Sequence, residues 1–447
     1  MSPRLLRFLF QYFMLIVLLA LCVIFSVVTL SEQQPTGPAA AKQLAADLVR
    51  QFGKGARVLI AVRDLPEDSA FADALSAALT SGGGTVVETV KGEPRDARVA
   101  LDRLVSGGAK LDAIACNQST AAWGVFTDLK TRFPGLGDPG VIQPHAYRWP
   151  NFLKSENLLN IANQIAVIAI IAIGMTVVII TGGIDLSVGS LLALSAVVAT
   201  MFIRDHAGGV EAGALGMTTA CLAAILIAGV AGGFTGGMIT LFQIPPFIVT
   251  LAMMLVASGV SYLLAKGQSV YQVPDSFVWL GRGADLRGVP NAVVLMLGLY
   301  AVAHVMMSRT VLGRYIYAVG GNREAARLSG VPVQGVLMFA YLACGALAGL
   351  GGVIMASQLK SGSPTYGQMY ELYVIAAVVV GGTSLSGGEG NMFGTLIGAF
   401  TIAVIQNGMN LCGIESYTQK VVLGAVILLA VLFDMLKKRL WRRFGAF

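Results

Sequence analysis

The sequence predicts an α-helical polytopic membrane protein of about ten transmembrane helices, with a small extracytoplasmic α/β lobe inserted after the first helix. Three observations predict it. Hydrophobic residues make up 55% of the 447 residues and charged residues only 12%, with a mean hydropathy of +0.74, whereas a soluble domain carries about 25% charged residues. Apolar runs long enough to cross a bilayer, roughly 20 residues each, recur along most of the chain. One block, residues 31–150, breaks this pattern: it holds nearly half of the Lys, Arg, Asp and Glu residues and alternates strand-like with helix-like segments.

The first apolar run, Phe8 to Leu30, follows Arg4 and Arg7. A signal-peptide core would span about 7–15 residues and end at small residues; this run is longer and ends Val28-Thr29-Leu30-Ser31. It reads as an uncleaved anchor that delivers the next segment outside. Ser31 to Ala41 reads as a polar linker with Pro35, Gly37 and Pro38. Helical spacing follows over 39–52, 67–80 (with Asp68 as a candidate cap), 95–106 and 119–132. The β-rich runs are 57–62, 85–90 and 111–116. Strands alternating with helices of this length predict a parallel sheet of βαβ units. Trp123 and Phe126, at helical spacing, read as core.

The remaining spans are predicted near 160–181, 190–203, 216–240, 246–265, 290–307, 335–356, 371–386, 392–411 and 418–435. With the anchor, these place both termini on one side. Eleven basic residues then fall inside (Arg4, Arg7, Arg309, Arg314, Arg323, Arg327, Lys437, Lys438, Arg439, Arg442, Arg443). Six fall in short outside segments (Arg204, Lys266, Arg282, Arg287, Lys360, Lys420). The bias puts the termini in the cytoplasm and block 31–150 outside, since long domains cross largely regardless of charge. It also accounts for the net charge of +7 without nucleic acid. Runs of glycine, such as 229–237 and 345–352, predict close helix packing.

Chemistry-bearing patterns are few. Cys22, Cys221 and Cys344 lie in apolar spans, Cys412 directly follows one, and Cys116 is alone in the polar block, so that block holds no internal disulfide. No Cys/His pairing suggests a metal. His145, His206 and His304 form no cluster with a nucleophile, so a hydrolase has no support. No phosphate-binding Gly-x-x-x-x-Gly-Lys-Ser/Thr occurs; Gly53-Lys54-Gly55 lacks the spacing and the hydroxyl.

Two segments stand out. Gly182-Gly183-Ile184-Asp185-Leu186-Ser187-Val188-Gly189-Ser190 interrupts the apolar stretch 160–203. Irregular backbone and a charge at depth survive only where protein or a water-filled path surrounds them. Asp185 is a candidate N-cap for a helix starting near Leu186 and equally a candidate path-lining group. The second is the basic loop 309–334, where Asn322 would cap a short helix, Arg323 to Leu328, ending at Gly330 near Pro332. Composition leaves a docking surface and an inert basic loop equally open.

Together with Val-Val-Gly-Gly-Thr-Ser-Leu-Ser-Gly-Gly at 379–388, these segments (182–190 and Gly-Gly-Asn-Arg-Glu-Ala-Ala-Arg-Leu-Ser-Gly at 320–330) resemble the ribose-type permeases of bacterial ABC sugar importers. The likeness covers the first span and about 150–447. The related branched-chain amino acid permeases share the architecture but usually lack the Ile-Asp-Leu-Ser-Val-Gly element, which favours a sugar. The resemblance implies a permease that is not itself an enzyme and holds no cofactor. Two permease subunits, alike or different, would form the path across the inner membrane. Two ABC ATPase subunits carrying ATP-Mg would dock on the loop containing Gly320, Gly321, Asn322, Glu324, Ala325, Ala326 and Gly330. A periplasmic sugar-binding protein would deliver the solute. Gly183, Asp185, Ser187, Gly189, Ser190, Gly382, Thr383 and Ser384 would belong to the translocation path.

The block 31–150 departs from that pattern. It resembles one lobe of type I periplasmic sugar-binding proteins, on Gly55-Ala56-Arg57-Val58-Leu59-Ile60 and Leu111-Asp112-Ala113-Ile114-Ala115-Cys116-Asn117-Gln118. Asn117 and Gln118 stand where that family usually has Asn-Asp, so they are candidate ligand contacts. A docking or spacer role without a ligand is the preferred reading. Two other functions fit the sequence less well. An ion-coupled transporter would want more ionisable groups within the spans than Asp185. A receptor would need an output domain, for which the tail after Lys437 is too short.

Overall fold

In a computed structural model, residues 13–444 are described. Arg4, Arg7 and Phe8 lie outside the described residues, as do the side chains of the basic tail. The chain divides into two compact units, residues 30–150 and the remainder.

The smaller unit opens with β1 (Leu30–Gln33), α2 (Gly37–Phe52), β2 (Arg57–Val62), α3 (Pro66–Ser81), β3 (Thr85–Lys91), α4 (Pro94–Ser106) and β4 (Leu111–Cys116). Short turns of helix at 118–121 (α5) and 129–132 (α6) lead to β5 (Gly137–Ile142) and β6 (Tyr147–Pro150). Four strands form one parallel sheet in the order β3-β2-β4-β5. Alternation along β2 explains why both faces are covered. Val58, Ile60 and Val62 pack with Leu44, Leu48, Leu75 and Leu79 of α2 and α3. Leu59 and Ala61 pack with Leu101 of α4, Ile114 and Cys116. A strand buried on both faces reads as a continuous apolar run, which is how 57–62 reads.

The lobe departs from its sequence pattern at several places. Leu30–Gln33 is not linker but pairs antiparallel with Tyr147–Pro150. The segment 119–132 is not one helix: it breaks into α5, a 3-10 turn at 124–126 and α6, because Gly124 and a left-handed Asp128 (φ +54°) interrupt it. Asp68 does not cap α3, whose N-cap position is Leu65. It accepts a 2.8 Å hydrogen bond from Arg63 Nε instead. Strand β5 was not legible because Gly137-Asp138-Pro139-Gly140 has no β-branched pattern; it is an edge strand, where proline is tolerated.

The larger unit contains α1 (Phe13–Val28), α7 (Ser155–Ile180), α8 (Val188–His206), α9 (Ala214–Leu241), α10 (Pro246–Ala265), the short α11 (Trp279–Arg282), α12 (Asn291–Arg309), α13 (Val311–Gly321), α14 (Arg323–Leu328), α15 (Val333–Leu359), α16 (Tyr370–Val380), α17 (Met392–Leu411) and α18 (Ser416–Phe444). Among the described residues, seven helices (α7, α8, α9, α10, α12, α15 and α17) are long and apolar enough to cross a membrane; three further apolar helices, α1, α16 and the first part of α18, are shorter. The run at 371–386 is corrected to 370–380, since Gly381-Gly382 stops it. The run at 190–203 extends to 188–206.

Helix α15 is the hub, packed against α7, α8 and α9. Glycine permits the approach. A Cβ on Gly232 of α9 would strike the Tyr341 carbonyl of α15, and one on Gly345 of α15 would meet the Ala228 carbonyl of α9. In lipid such contact is what drives helices together. Helix α7 is nearly wholly enclosed, with every residue from Ile165 to Ile180 buried.

Candidate functional site

Helix α7 ends at Ile180, and Gly182 turns the chain with φ +79°. Asp185 follows, with 0% exposure. Its Oδ1 accepts from the Ser187 backbone N–H at 2.9 Å and from the Ser187 hydroxyl at 2.6 Å. The helix therefore starts later than expected. Val188 is its first residue and Ser187 holds the N-cap position, so Asp185 closes a turn before the helix rather than capping it. Its Oδ2 has no hydrogen-bond partner, nor does the Tyr341 hydroxyl. Asp185 lies close enough to Tyr341 and Cys344 of α15 to interact electrostatically with both.

Gly183 and Gly189 are packing positions. A Cβ on Gly183 would strike the Tyr341 hydroxyl, and one on Gly189 would strike the Gly367 carbonyl and approach Glu371 Oε2 at 2.6 Å. Gly183, Asp185, Ser187 and Gly189 are buried, and Ser190 is half-buried. Sequence reading missed Tyr341 and Glu371, since a tyrosine or a single glutamate in an apolar helix carries no motif.

The other two segments meet the first. A Cβ on Gly320 would collide with the Ile180 carbonyl, the end of α7. The Gly388 N–H donates to that carbonyl at 2.8 Å. Gly387 and Gly388 turn the chain with φ +82° and +77°, and a Cβ on Gly387 would lie 2.8 Å from the Gly320 carbonyl. The Arg323 guanidinium donates to the Thr181 carbonyl at 3.2 Å, and the Tyr317 hydroxyl to the Gly390 carbonyl at 2.7 Å. Three segments far apart in sequence thus form one glycine junction at the C-terminal end of α7. Within it Gly382 is exposed with φ +90°, and Thr383 and Ser384 are buried. The Thr383 hydroxyl lacks a partner.

Above the junction stands α14. The Asn322 side chain accepts from the Ala325 N–H at 3.0 Å, the cap its sequence predicts. Gly330 ends the turn with φ +82°. Ala326 is buried and anchors the helix, while Gly321, Glu324, Ala325 and Arg327 face outward. Arg327 bonds Glu324 at 3.0 Å, and Leu328 is 81% exposed. An exposed leucine beside a carboxylate on a capped helix is a surface suited to a protein partner. Helix α13, which carries Tyr317 to the junction, was not foreseen; Thr310 caps it by accepting from Gly313 N–H at 3.2 Å.

In the smaller unit, Asn117 caps α5 by accepting from Thr120 N–H at 3.0 Å, and Gln118 is exposed. Burial pushes the Asp68 carboxyl up, but hydrogen bonds from Arg63 and Asn117 outweigh it and hold the group below the usual carboxylate range. Asn117 is thus engaged by neighbours within its own fold. Trp123 and Phe126 stack with centroids 6.0 Å apart in the sheet's second core. Burial pushes the Cys116 thiol up to about 12, so it is an inert core group. Among the described residues no group of three His, Cys, Asp or Glu is placed to hold a metal.

The family model for "branched-chain amino acid transport system / permease component" matches residues 157–431, which include the hairpin, the junction and α14. The chain belongs to this permease family. The permease is 46% identical to the ribose import permease protein of Escherichia coli (strain K12) over 293 residues, 65% of this chain and 88% of that protein. It is 46% identical to the ribose import permease protein of Bacillus subtilis (strain 168), over 64% of this chain and 87% of the relative. It is 34% identical to the D-allose transport system permease protein of Escherichia coli (strain K12), over 64% and 85%. No solved structure matches it. As a transport permease it is a multi-pass membrane protein and not an enzyme. Residues 30–150 lie outside the family match.

Proposed function

We propose that the permease is the membrane-spanning subunit of an ATP-binding-cassette importer that moves a monosaccharide, such as a pentose, inward across the inner membrane. Two separate ATPase subunits, holding ATP-Mg, would dock on α14 and drive a pair of permease chains. A periplasmic sugar-binding protein would deliver the solute, and the relatives named for ribose and allose transport support a sugar cargo. In this reading all ten apolar helices are spans, the termini are cytoplasmic and residues 31–150 are periplasmic.

The observation that carries the proposal is the glycine junction. A docking helix that reaches the end of the enclosed helix α7 through Arg323 to Thr181, and follows α13 whose Gly320 sits against Ile180, can pass a partner's movement to the membrane core. The hairpin is the element moved. Its buried members Gly183, Asp185, Ser187 and Gly189 hold the path wall against α15 and residue 367, with Ser190 at the margin. Gly387 and Gly388 tie the third segment, which carries Gly382, Thr383 and Ser384, to the same wall. For the lobe we retain a docking or spacer role, because Asn117 is engaged as a cap and Gln118 makes no constellation with it.

The test is uptake into proteoliposomes with and without the ATPase subunits, measured against ATP and against an ion gradient. ATP-dependent uptake is expected; uptake driven by the gradient alone would end the proposal. In the same system Glu324→Lys should weaken ATPase co-purification at least tenfold while leaving membrane insertion intact, because it reverses the one acidic group on the exposed face of α14 and removes its pair with Arg327.

A further inference from the structure

The larger unit holds a cavity that none of the three sequence segments touches. It has a volume of about 310 Å³ and opens between α7, α15, α17 and the start of α16. Its position follows from α7. Gln164 lines the cavity, and Ile180 forms the junction. Sixteen residues of helix separate them, about 24 Å, most of the roughly 30 Å thickness of a bilayer core. The cavity therefore lies near the membrane face opposite α14, the face from which an importer receives its cargo.

The lining is of two kinds. Ile161, Ile165 and Ile168 of α7 and Met355 of α15 make an apolar wall. Three amides, Gln164, Gln358 and Gln406, and the ring of Tyr370 supply the polarity. No Asp, Glu, Lys or Arg is among the lining residues. Gln358 is fixed, its Nε2 donating to the Asn163 backbone carbonyl at 3.1 Å, while Asn163 Nδ2 donates to Gly281 O at 3.2 Å.

An amide offers both donors and an acceptor. That matches a hydroxyl, which also does both. A charged solute would lose its hydration here with no counter-charge, an unfavourable exchange. Ligand pockets run from roughly 300 to 1,000 Å³, so this one is sized for a single small ring. Apolar walls with a few placed polar groups are the usual composition of such sites.

We infer that this cavity is the permease's own receiving site for its cargo, a neutral monosaccharide held by Gln164, Gln358 and Gln406 against Tyr370. The inference rests on the transport reading above and adds the residues that read the sugar's hydroxyls within the membrane. Removing one amide leaves a sugar hydroxyl unpaired, which lowers transport about tenfold, and removes discrimination against the sugar lacking that hydroxyl.

The experiment uses the full chain reconstituted with its ATPase subunits and binding protein. Initial uptake is measured for a radiolabelled aldopentose and its monodeoxy analogues. The variants are Gln164→Leu, Gln406→Leu and Gln406→Asn, with Ile168→Trp to fill the cavity. Gln164→Leu and Gln406→Leu are expected to lose about tenfold in uptake of the parent sugar and to flatten its preference over at least one deoxy analogue. Gln406→Asn, which keeps an amide, should fall between them and wild type, and Ile168→Trp should abolish uptake. A general folding defect would lower all sugars in proportion, so unchanged preference in both leucine variants overturns the site. Wild-type protein that takes up no monosaccharide would instead defeat the transport reading itself.

Discussion

Gly320 shows how much a single position decides. Its Cα faces the last carbonyl of α7, and a Cβ there would also lie 2.6 Å from the Gly388 nitrogen. Both neighbours are backbone, so neither can swing aside. Gly320→Ala should cost about 1–3 kcal/mol, the usual range for forcing extra atoms into a packed site. It should show as a lowered melting temperature of the detergent-solubilised chain, and an unchanged melting temperature would mean the junction is loose. Asp112 offers a different test, in the smaller unit. The Arg57 backbone N–H donates to its carboxylate at 2.7 Å and the Arg57 guanidinium pairs with it; these bonds, backbone first, hold the carboxyl below the usual range. A depressed value means the folded state binds fewer protons than the unfolded one, so this contribution is fully present above about pH 4, the ordinary carboxylate range. It is lost as pH falls through the lower, folded value. Chemical denaturation of the excised 30–150 unit should show stability falling on acidification below about pH 4, and Asp112→Asn should reduce that slope. The sequence placed Gly320 in the docking loop and Asp112 in a segment that carries the lobe's resemblance, but the contact each one makes was not legible there. A glycine among 54 and a common aspartate acquire roles only from what the fold places beside them.

Among the elements, α14 is the one whose form the sequence disclosed most fully. Asn322, the following apolar and charged residues, and Gly330 specify a start and a stop within a few residues, and local hydrogen bonds satisfy them. Its linkage was hidden, because Arg323 reaches a carbonyl 142 positions away. Arg323→Ala removes that bond while keeping Glu324, Ala325 and Arg327 of the exposed face. The expected outcome is ATPase subunits that still co-purify and hydrolyse ATP, with several-fold less sugar accumulated per ATP; Arg323→Lys, which keeps a donor, should recover part of the ratio. Equal ratios in wild type and Arg323→Ala would remove the bond from any role in transmission. Helix α16 carried the opposite lesson. Its apolar composition suggested a span of ordinary length, but Gly381-Gly382 ends it after 11 residues, about 16 Å and half of a roughly 30 Å core. A short helix beside the irregular hairpin at Gly189 is how irregular backbone is tolerated at depth, enclosed by protein.

For the molecule as a whole, the question is why a family member carries a 121-residue unit between α1 and α7. On the membrane side, the Asn151 N–H donates to the Thr29 carbonyl at 3.0 Å, and the Phe152 N–H donates to the Thr29 hydroxyl at 3.1 Å. On the lobe side, Leu30 pairs with Pro150 in the β1–β6 ladder. The chain leaves the larger unit and re-enters it at neighbouring residues, the geometry at which domain insertion is tolerated. Joining Thr29 to Asn151 through two or three glycines should therefore leave a chain that inserts, stays monodisperse and binds the ATPase subunits. Its uptake then reports what the lobe contributes: a loss confined to low sugar concentration is expected for a tethered docking module, which acts by raising local concentration. Aggregation of the shortened chain would show that the larger unit depends on the lobe for folding.

The sequence by itself determined the kind of molecule. Lipid as solvent demands apolar runs of a set length, and a sheet buried on both faces demands alternating short elements; both requirements are written in consecutive residues. Only the tertiary structure decided that the hairpin, the docking loop and the 379–388 segment share one junction, that Asp185 turns inward against Tyr341 and Cys344, and that three glutamines from different helices surround one cavity. Those facts depend on which helices become neighbours. That choice is made by close packing among glycine-lined surfaces spread over the whole chain, and no local stretch of sequence encodes it.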